Sequence, residues 1–193
     1  MDRMHSTPIY GLVLCGGRSS RMGQDKGLLD YHGRPQREYM FAILERFCVR
    51  VFTSCRPEQA VPAHLNPLYD ALSIESPING IVTAFRAHSQ VCWLTVAVDM
   101  PFVDDAAIRT LFAQRDMTAP ATCFKNPEDS LPEPLCTIWE TSAYPLLEAF
   151  VNRGEISPRK FLIGHHAHLV MPDDARVVMN VNTQEDRQRL SGH

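Results

Sequence analysis

No stretch of the 193 residues reaches the roughly 18 to 20 consecutive apolar residues that a membrane helix needs. The opening MDRMHSTP also lacks the apolar core of a secretory signal. These absences predict a cytoplasmic protein with no membrane partner. Charge of one sign is equally scarce: 19 Lys and Arg stand against 22 Asp and Glu, a net charge of -3. The basic residues are spread among acids, so no nucleic-acid partner is expected. The six cysteines, Cys15, Cys48, Cys55, Cys92, Cys123 and Cys136, include no Cys-x-x-Cys pair and lie in apolar runs. That pattern suits buried thiols in a reducing compartment and argues against a disulfide framework or a zinc knuckle.

Three catalytic signatures are missing as well. Gly23 is followed by Gln24 and Asp25 rather than by Gly-Lys-Ser or Gly-Lys-Thr, so there is no Walker A loop. Gly16 and Gly17 are adjacent, which breaks the Gly-x-Gly-x-x-Gly dinucleotide fingerprint. No Gly-x-Ser-x-Gly elbow accompanies a Ser-His-Asp set, so covalent catalysis is not indicated.

What is present begins with Leu12 to Leu29, LVLCGGRSSRMGQDKGLL. An apolar strand, Ile9 to Leu14, runs into a glycine-rich cationic loop. Gly16 and Gly17 allow a tight turn with exposed N-H groups, and Arg18, Arg21 and Lys26 supply charge. This combination suits phosphate.

Strand-like and helix-like segments then alternate to the end of the chain. With 45% apolar residues, this predicts an α/β protein, a single domain over residues 1–193 with a mainly parallel, doubly wound sheet. The spacing of Tyr39, Met40, Ile43, Leu44 and Phe47 behind Pro35 predicts a helix, and Val49 to Cys55 a second strand. A proline-rich connection (Pro57, Pro62, Pro67) leads to Asp70, and a helix is expected from about Ile78, its first N-H groups open to an anion. Cys92 to Val98 reads as a buried strand ending at Asp99-Met100-Pro101, which places Asp99 at a strand's carboxyl end, where open parallel sheets bind ligands. Asp104 is expected to cap a helix bearing Ile108, Leu111 and Phe112. Ala119 to Phe124 and Leu135 to Trp139 read as strands, and Lys125 to Pro134 as a loop that could cover substrate. Tyr144, Leu147, Phe150 and Val151 mark another helix. Ala167 to Met171 and Val177 to Met179 read as short strands, and Asn182 with Glu185 as a final helix cap.

Among the polar residues, Lys26 and Arg21 are the candidate phosphate ligands. Asp99 is the candidate for Mg²⁺, which takes one or two carboxylates and keeps several waters. Arg153, Arg159 and Lys160 form a basic group in what reads as a loop, suited to a second phosphate-bearing substrate. His165, His166 and His168 are too poorly aligned for a shared ion, since neighbours on a strand point to opposite faces.

The loop LCGGRSSRMGQDKGLL resembles the L-x-G-G-x-S-x-R-M-G-x-D-K loop of the molybdenum cofactor guanylyltransferases, the MobA-like nucleotidyltransferases. Asp70 matches as well. Pro77 and Gly80 resemble that family's G-P-L-x-G, Asp99 and Pro101 its D-x-P, and Asn180-Val181-Asn182-Thr183 its N-x-N-T. The resemblance implies a Rossmann-like fold of the nucleotide-diphospho-sugar transferase type. It implies GMP transfer from Mg-GTP to the terminal phosphate of molybdopterin, with pyrophosphate released, Mg²⁺ as cofactor, and molybdoenzymes or other cofactor-biosynthesis proteins as partners. Leu14, Cys15, Gly16 and Gly17 would cradle the nucleotide, with Arg21, Lys26 and Asp70. Asp99 would hold the metal, and Gly80, Asn180 and Asn182 would lie on the acceptor side with Arg159 and Lys160. The chain has Thr53-Ser54-Cys55 where some members carry Asn. Three other readings stay open: cytidylyl transfer to the same pterin, whose enzymes more often show Ala-Ala-Gly at Cys15-Gly16-Gly17; nucleotidyl transfer to a sugar or alditol phosphate; and a nucleotide-binding module without turnover.

Overall fold

The computed structural model describes residues 7–15 and 25–181. Gly16, Gly17, Arg18, Arg21 and Asn182, and the helix cap expected at Asn182, lie outside them. Among the described residues, seven strands form one sheet: β1 (Ile9–Leu14), β2 (Arg50–Cys55), β3 (Pro67–Tyr69), β4 (Cys92–Ala97), β5 (Ala121–Lys125), β6 (Pro132–Trp139) and β7 (His168–Val170). Their order is β3-β2-β1-β4-β6-β5-β7. Strand β6 runs antiparallel to both neighbours, and every other pairing is parallel.

Among the described residues, five helices connect the strands: α1 (Gln36–Leu44), α2 (Ile78–Ala87), α3 (Asp105–Ala113), α4 (Ala143–Asn152) and α5 (Pro158–Gly164). A Cβ on Gly11 of β1 would meet Leu44 of α1, whereas Leu14 of the same strand lies against Gly80 of α2. Alternate side chains of a strand face opposite ways, so α1 and α2 cover opposite faces of the sheet. From β1 the chain winds outward through β2 and β3, then crosses back by α2 to β4 on the other side of β1. The winding therefore reverses between β1 and β4, and the crevice beyond their carboxyl ends is where such a sheet takes its ligands. The strands on each side of that crevice are buried throughout β1 and β4 apart from half-buried Tyr10, which is why they read as apolar runs rather than alternating ones.

Asp104 caps α3 as its sequence position suggests, accepting from the Ala107 N-H at 2.9 Å. Several boundaries differ from expectation. Arg159 and Lys160 lie on helix α5 rather than in a loop, because Ser157 caps it and Pro158 stands in its first turn. The loop between β5 and β6 is short, since Pro132 and Pro134 belong to β6. That strand pairs with β4 only from Cys136 to Trp139, so both prolines stand where β4 asks for no N-H donor. The proline-rich connection contains β3, a three-residue edge strand. Val177 and Val178 sit in a 3-10 turn over Ala175–Val178 instead of a strand; the Asp174 side chain starts that turn by accepting from the Arg176 N-H. Phe47 lies beyond the end of α1 and stacks on Phe112.

Candidate active site at the sheet crossover

The end of β1 delivers Cys15, and the described chain resumes at Asp25. Asp25 caps a 3-10 turn over Lys26–Leu28, its Oδ1 accepting from the Gly27 N-H at 2.9 Å. Buried Arg37 of α1 lies 3.7 Å from Asp25 Oδ2 and donates to the Ala60 carbonyl at 3.1 Å. Lys26 is thus carried by a turn that is anchored on both sides, and its side chain is only 23% exposed.

Across the crevice, Asp99 follows β4. Its Oδ2 is 3.5 Å from Lys26 Nζ. Burial raises the Asp99 carboxyl above its ordinary range, and the lysine opposes that shift. The buried Oδ1 of Asp99 has no hydrogen-bond partner among the described residues, an arrangement that leaves a hard anionic oxygen for a cation. The backbone of this turn is held from two directions. The Val181 N-H donates to the Asp99 carbonyl at 2.8 Å, and the His32 ring nitrogen Nε2 is 3.0 Å from the Pro101 carbonyl oxygen. Asn180 therefore stands beside Asp99 in the chain path, and its buried Oδ1 also lacks a partner among the described residues.

On the β2 side, Ser54 donates from Oγ to Asp70 Oδ1 at 3.0 Å. Burial raises the Asp70 carboxyl, and the Ser54 bond counters this. Gly80 lies directly beneath: a Cβ there would stand 2.2 Å from Ser54 Oγ. Gly80 thus packs against the Ser54-Asp70 pair. The loop bearing Asp70 is clamped from α2. Buried Asn79 accepts from the Leu72 N-H and donates to the Leu72 and Ile74 carbonyls, and Thr83 Oγ1 accepts from the Ala71 N-H. The first turn of α2 is not open to an anion as expected, because the Ile78 and Asn79 N-H groups are taken by Ser76.

The third group lies on β6 and α5. Glu133, 1% exposed, is 3.4 Å from Arg159 Nη2 through Oε2, and Arg159 Nη1 is 3.2 Å from Asp129 Oδ2. Burial pushes the Glu133 carboxyl up to about 6, Arg159 counters it, and the charge of Asp99 adds to the rise. Lys160 is exposed on α5, and Arg153 pairs with Glu155 at the end of α4. His165 ends α5 and His166 adopts a positive φ of 54°, so this segment is a turn rather than the strand assumed for it. Among the described residues no cluster of three metal-ligating side chains exists. All six cysteines are free, and burial raises each thiol, which leaves no thiolate nucleophile.

The structure brings Leu14, Cys15, Lys26, Asp70, Asp99, Gly80, Arg159 and Asn180 to the carboxyl edge of the sheet. Ser54, Asn79, Arg37 and Glu133 escaped the reading of the sequence as site residues. Ser54 carried one usable signal, a polar pair with Thr53 near the carboxyl end of β2. Glu133 carried none, because two flanking prolines made its strand look like a loop.

Comparison with known proteins agrees with this architecture. The model of the MobA-like NTP transferase domain matches residues 11–169. A molybdenum cofactor biosynthesis bifunctional protein from Synechocystis sp. is 37% identical over 188 residues, covering 96% of this chain, which spans 54% of that protein's length. A molybdenum cofactor guanylyltransferase from Xanthomonas euvesicatoria is 32% identical over 190 residues, covering 95% of this chain and 94% of the relative. Among solved structures, molybdopterin-guanine dinucleotide biosynthesis protein A from Archaeoglobus fulgidus superposes with a TM-score of 0.73 at 23% identity, covering 93% of this chain and 95% of the other. That likeness bears on the fold alone.

Proposed function

This chain belongs to the MobA-like NTP transferase domain family, and we propose that it acts as one domain over residues 1–193 to transfer GMP from Mg-GTP to the terminal phosphate of molybdopterin, releasing pyrophosphate. The observation that carries nucleotidyl transfer is the approach of Lys26 Nζ to Asp99 Oδ2 at 3.5 Å, in the crevice where the sheet reverses its winding. Guanine and the pterin come from what the relatives from Xanthomonas and other bacteria are named to be.

In this reading an oxygen of the acceptor phosphate attacks the α-phosphorus of GTP in line. The new P-O bond forms as the bond to the bridging oxygen breaks, and pyrophosphate leaves with that electron pair. A phosphate monoester is already largely ionised near neutral pH, so no general base is needed and the missing triad is expected. The protein's work is positioning and charge neutralisation. Leu14 and Cys15, with Gly16 and Gly17, would cradle the nucleotide. Lys26, with Arg21, would bind its phosphate chain, and Asp70 would hold it from the β2 side with Ser54 orienting the carboxylate. Arg159, Lys160, Asn180 and Asn182 fall to the acceptor, whereas Gly80, expected on that side, packs against the Ser54-Asp70 pair and so serves the nucleotide. The donor set at Asp99 fits Mg²⁺, for its buried, unpartnered Oδ1 is a hard oxygen beside a phosphate-binding lysine. Bound there, Mg²⁺ would neutralise charge on the phosphates.

The test is incubation with Mg²⁺, molybdopterin and each nucleoside triphosphate in turn. Dinucleotide and pyrophosphate are expected with GTP, and product with CTP alone would overturn the guanylyl reading. A rise in Tm with GTP but no acceptor-dependent pyrophosphate would identify a binding module without turnover. Lys26→Ala and Asp99→Ala are each expected to cut turnover by roughly 10² or more with the fold retained; near-normal rates in either variant would misplace the site.

A further inference from the structure

We propose that Glu133 is a positioning residue that fixes the guanidinium of Arg159 at the acceptor end of the site, an inference that rests on the transfer reading above.

The geometry begins with the overhang of β6. Its last pairing with β4 is Val96 with Cys136, so Pro132 to Pro134 project past Ala97, the carboxyl end of β4, beyond which Asp99 follows. Glu133 is therefore brought to the reacting edge of the sheet, close enough for the charge of Asp99 to act on it. One oxygen is fixed from its own strand, since Oε1 accepts from the Leu135 N-H at 2.9 Å. The other, Oε2, faces Arg159 Nη2 at 3.4 Å.

A carboxylate with 1% exposure is costly to ionise unless a cation compensates it, and an apolar residue of like volume would serve the core at least as well. What the carboxylate supplies that an apolar residue cannot is direction. The guanidinium is planar, so holding Nη1 at Asp129 and Nη2 at Glu133 sets its plane. Arg159 has five N-H donors and its side chain is 35% exposed, which leaves the fork capacity for the paired oxygens of a phosphate. Of the two carboxylates only Glu133 is buried; Asp129 is 41% exposed on the β5-β6 loop and holds its nitrogen in water.

Glu133→Gln keeps an acceptor for the Leu135 N-H and removes the charge facing Arg159. Steady-state kinetics with GTP and the phosphorylated acceptor identified by the nucleotide and acceptor screen should show the KM for the acceptor rising about tenfold or more, the loss of one hydrogen bond to a charged partner, while the KM for GTP stays unchanged. Arg159→Lys, on a half-exposed helical position, should show the same split whether or not the Glu133 variant folds. The double variant should be no worse than Arg159→Lys alone. An acceptor KM that does not move in either variant, or a KM for GTP that moves with it, would overturn the proposal. A wild-type protein that makes no product with any acceptor would instead sink the transfer reading, and this inference with it.

Discussion

Gly80 shows what one missing methyl group does at this site. A Cβ at that position would stand 2.2 Å from Ser54 Oγ and 3.1 Å from Leu14 Cδ2. Because Ser54 is buried on β2, the hydroxyl could escape only by rotating away from Asp70. Gly80→Ala is therefore expected to act through Ser54. GTP affinity should fall, and should fall likewise in Ser54→Ala, even though alanine favours a helix over glycine by about 1 kcal/mol. Calorimetric titration of GTP against the two single variants and the double variant checks this: the double should match Ser54→Ala within about 0.5 kcal/mol. Additive losses would mean that Gly80 serves the site by some other route.

At the scale of elements, α2 does more than cross from β3 to β4. Asn79 makes one bond to the Leu72 N-H and two to the carbonyls of Leu72 and Ile74, and Thr83 takes the Ala71 N-H. Asp70 itself is tied to β2, its N-H donating to the Cys55 carbonyl at 2.9 Å, and the clamp from α2 holds the loop that follows it. Asn79→Ala removes partners from buried backbone groups and is expected to cost about 2 to 3 kcal/mol in denaturant unfolding. Amide exchange of residues 70–74 should speed up while that of β1 and β4 falls only with global stability. Uniform acceleration over the whole sheet would show that the clamp is not local. The clamp was invisible in the sequence, because Asn79 looks like an ordinary residue near a helix start until the loop folds back upon it.

The whole molecule carries an ionisable cost at its active edge. Glu133 has an ordinary value of 4.5 and is raised to about 6 in the folded protein. The folded state holds this proton longer than the unfolded chain does. Its contribution is therefore most favourable below pH 4.5, and about 2 kcal/mol is lost as pH rises from there through 6. Glu133→Gln lacks this slope. The stability of the wild type relative to that variant should fall by about this amount between pH 4 and pH 7.5 in paired urea titrations. Parallel curves across that range would show that the carboxyl is not strained by its burial.

Much of this architecture was legible in the sequence because the relevant signals are local. Continuous apolar runs marked β1 and β4, Asp104 marked a helix start, and the motif from Leu12 to Leu29 carried the resemblance to the MobA-like family. Lys26 and Asp99 could be named from those signals, and so could the α/β class. Other features needed the chain closed on itself. Helix α5 was hidden by its short length, β3 by its prolines, and the β6 overhang by Pro132 and Pro134. By itself the sequence determined which segments are strands buried on both faces, because apolar patterning acts over a few residues. Only the tertiary structure decided that Lys26 meets Asp99, that Ser54 turns Asp70 above Gly80, and that Glu133 holds Arg159. Each of those pairs is made by strand order and by crossovers that bring together residues far apart in the chain, and no local preference encodes such distances.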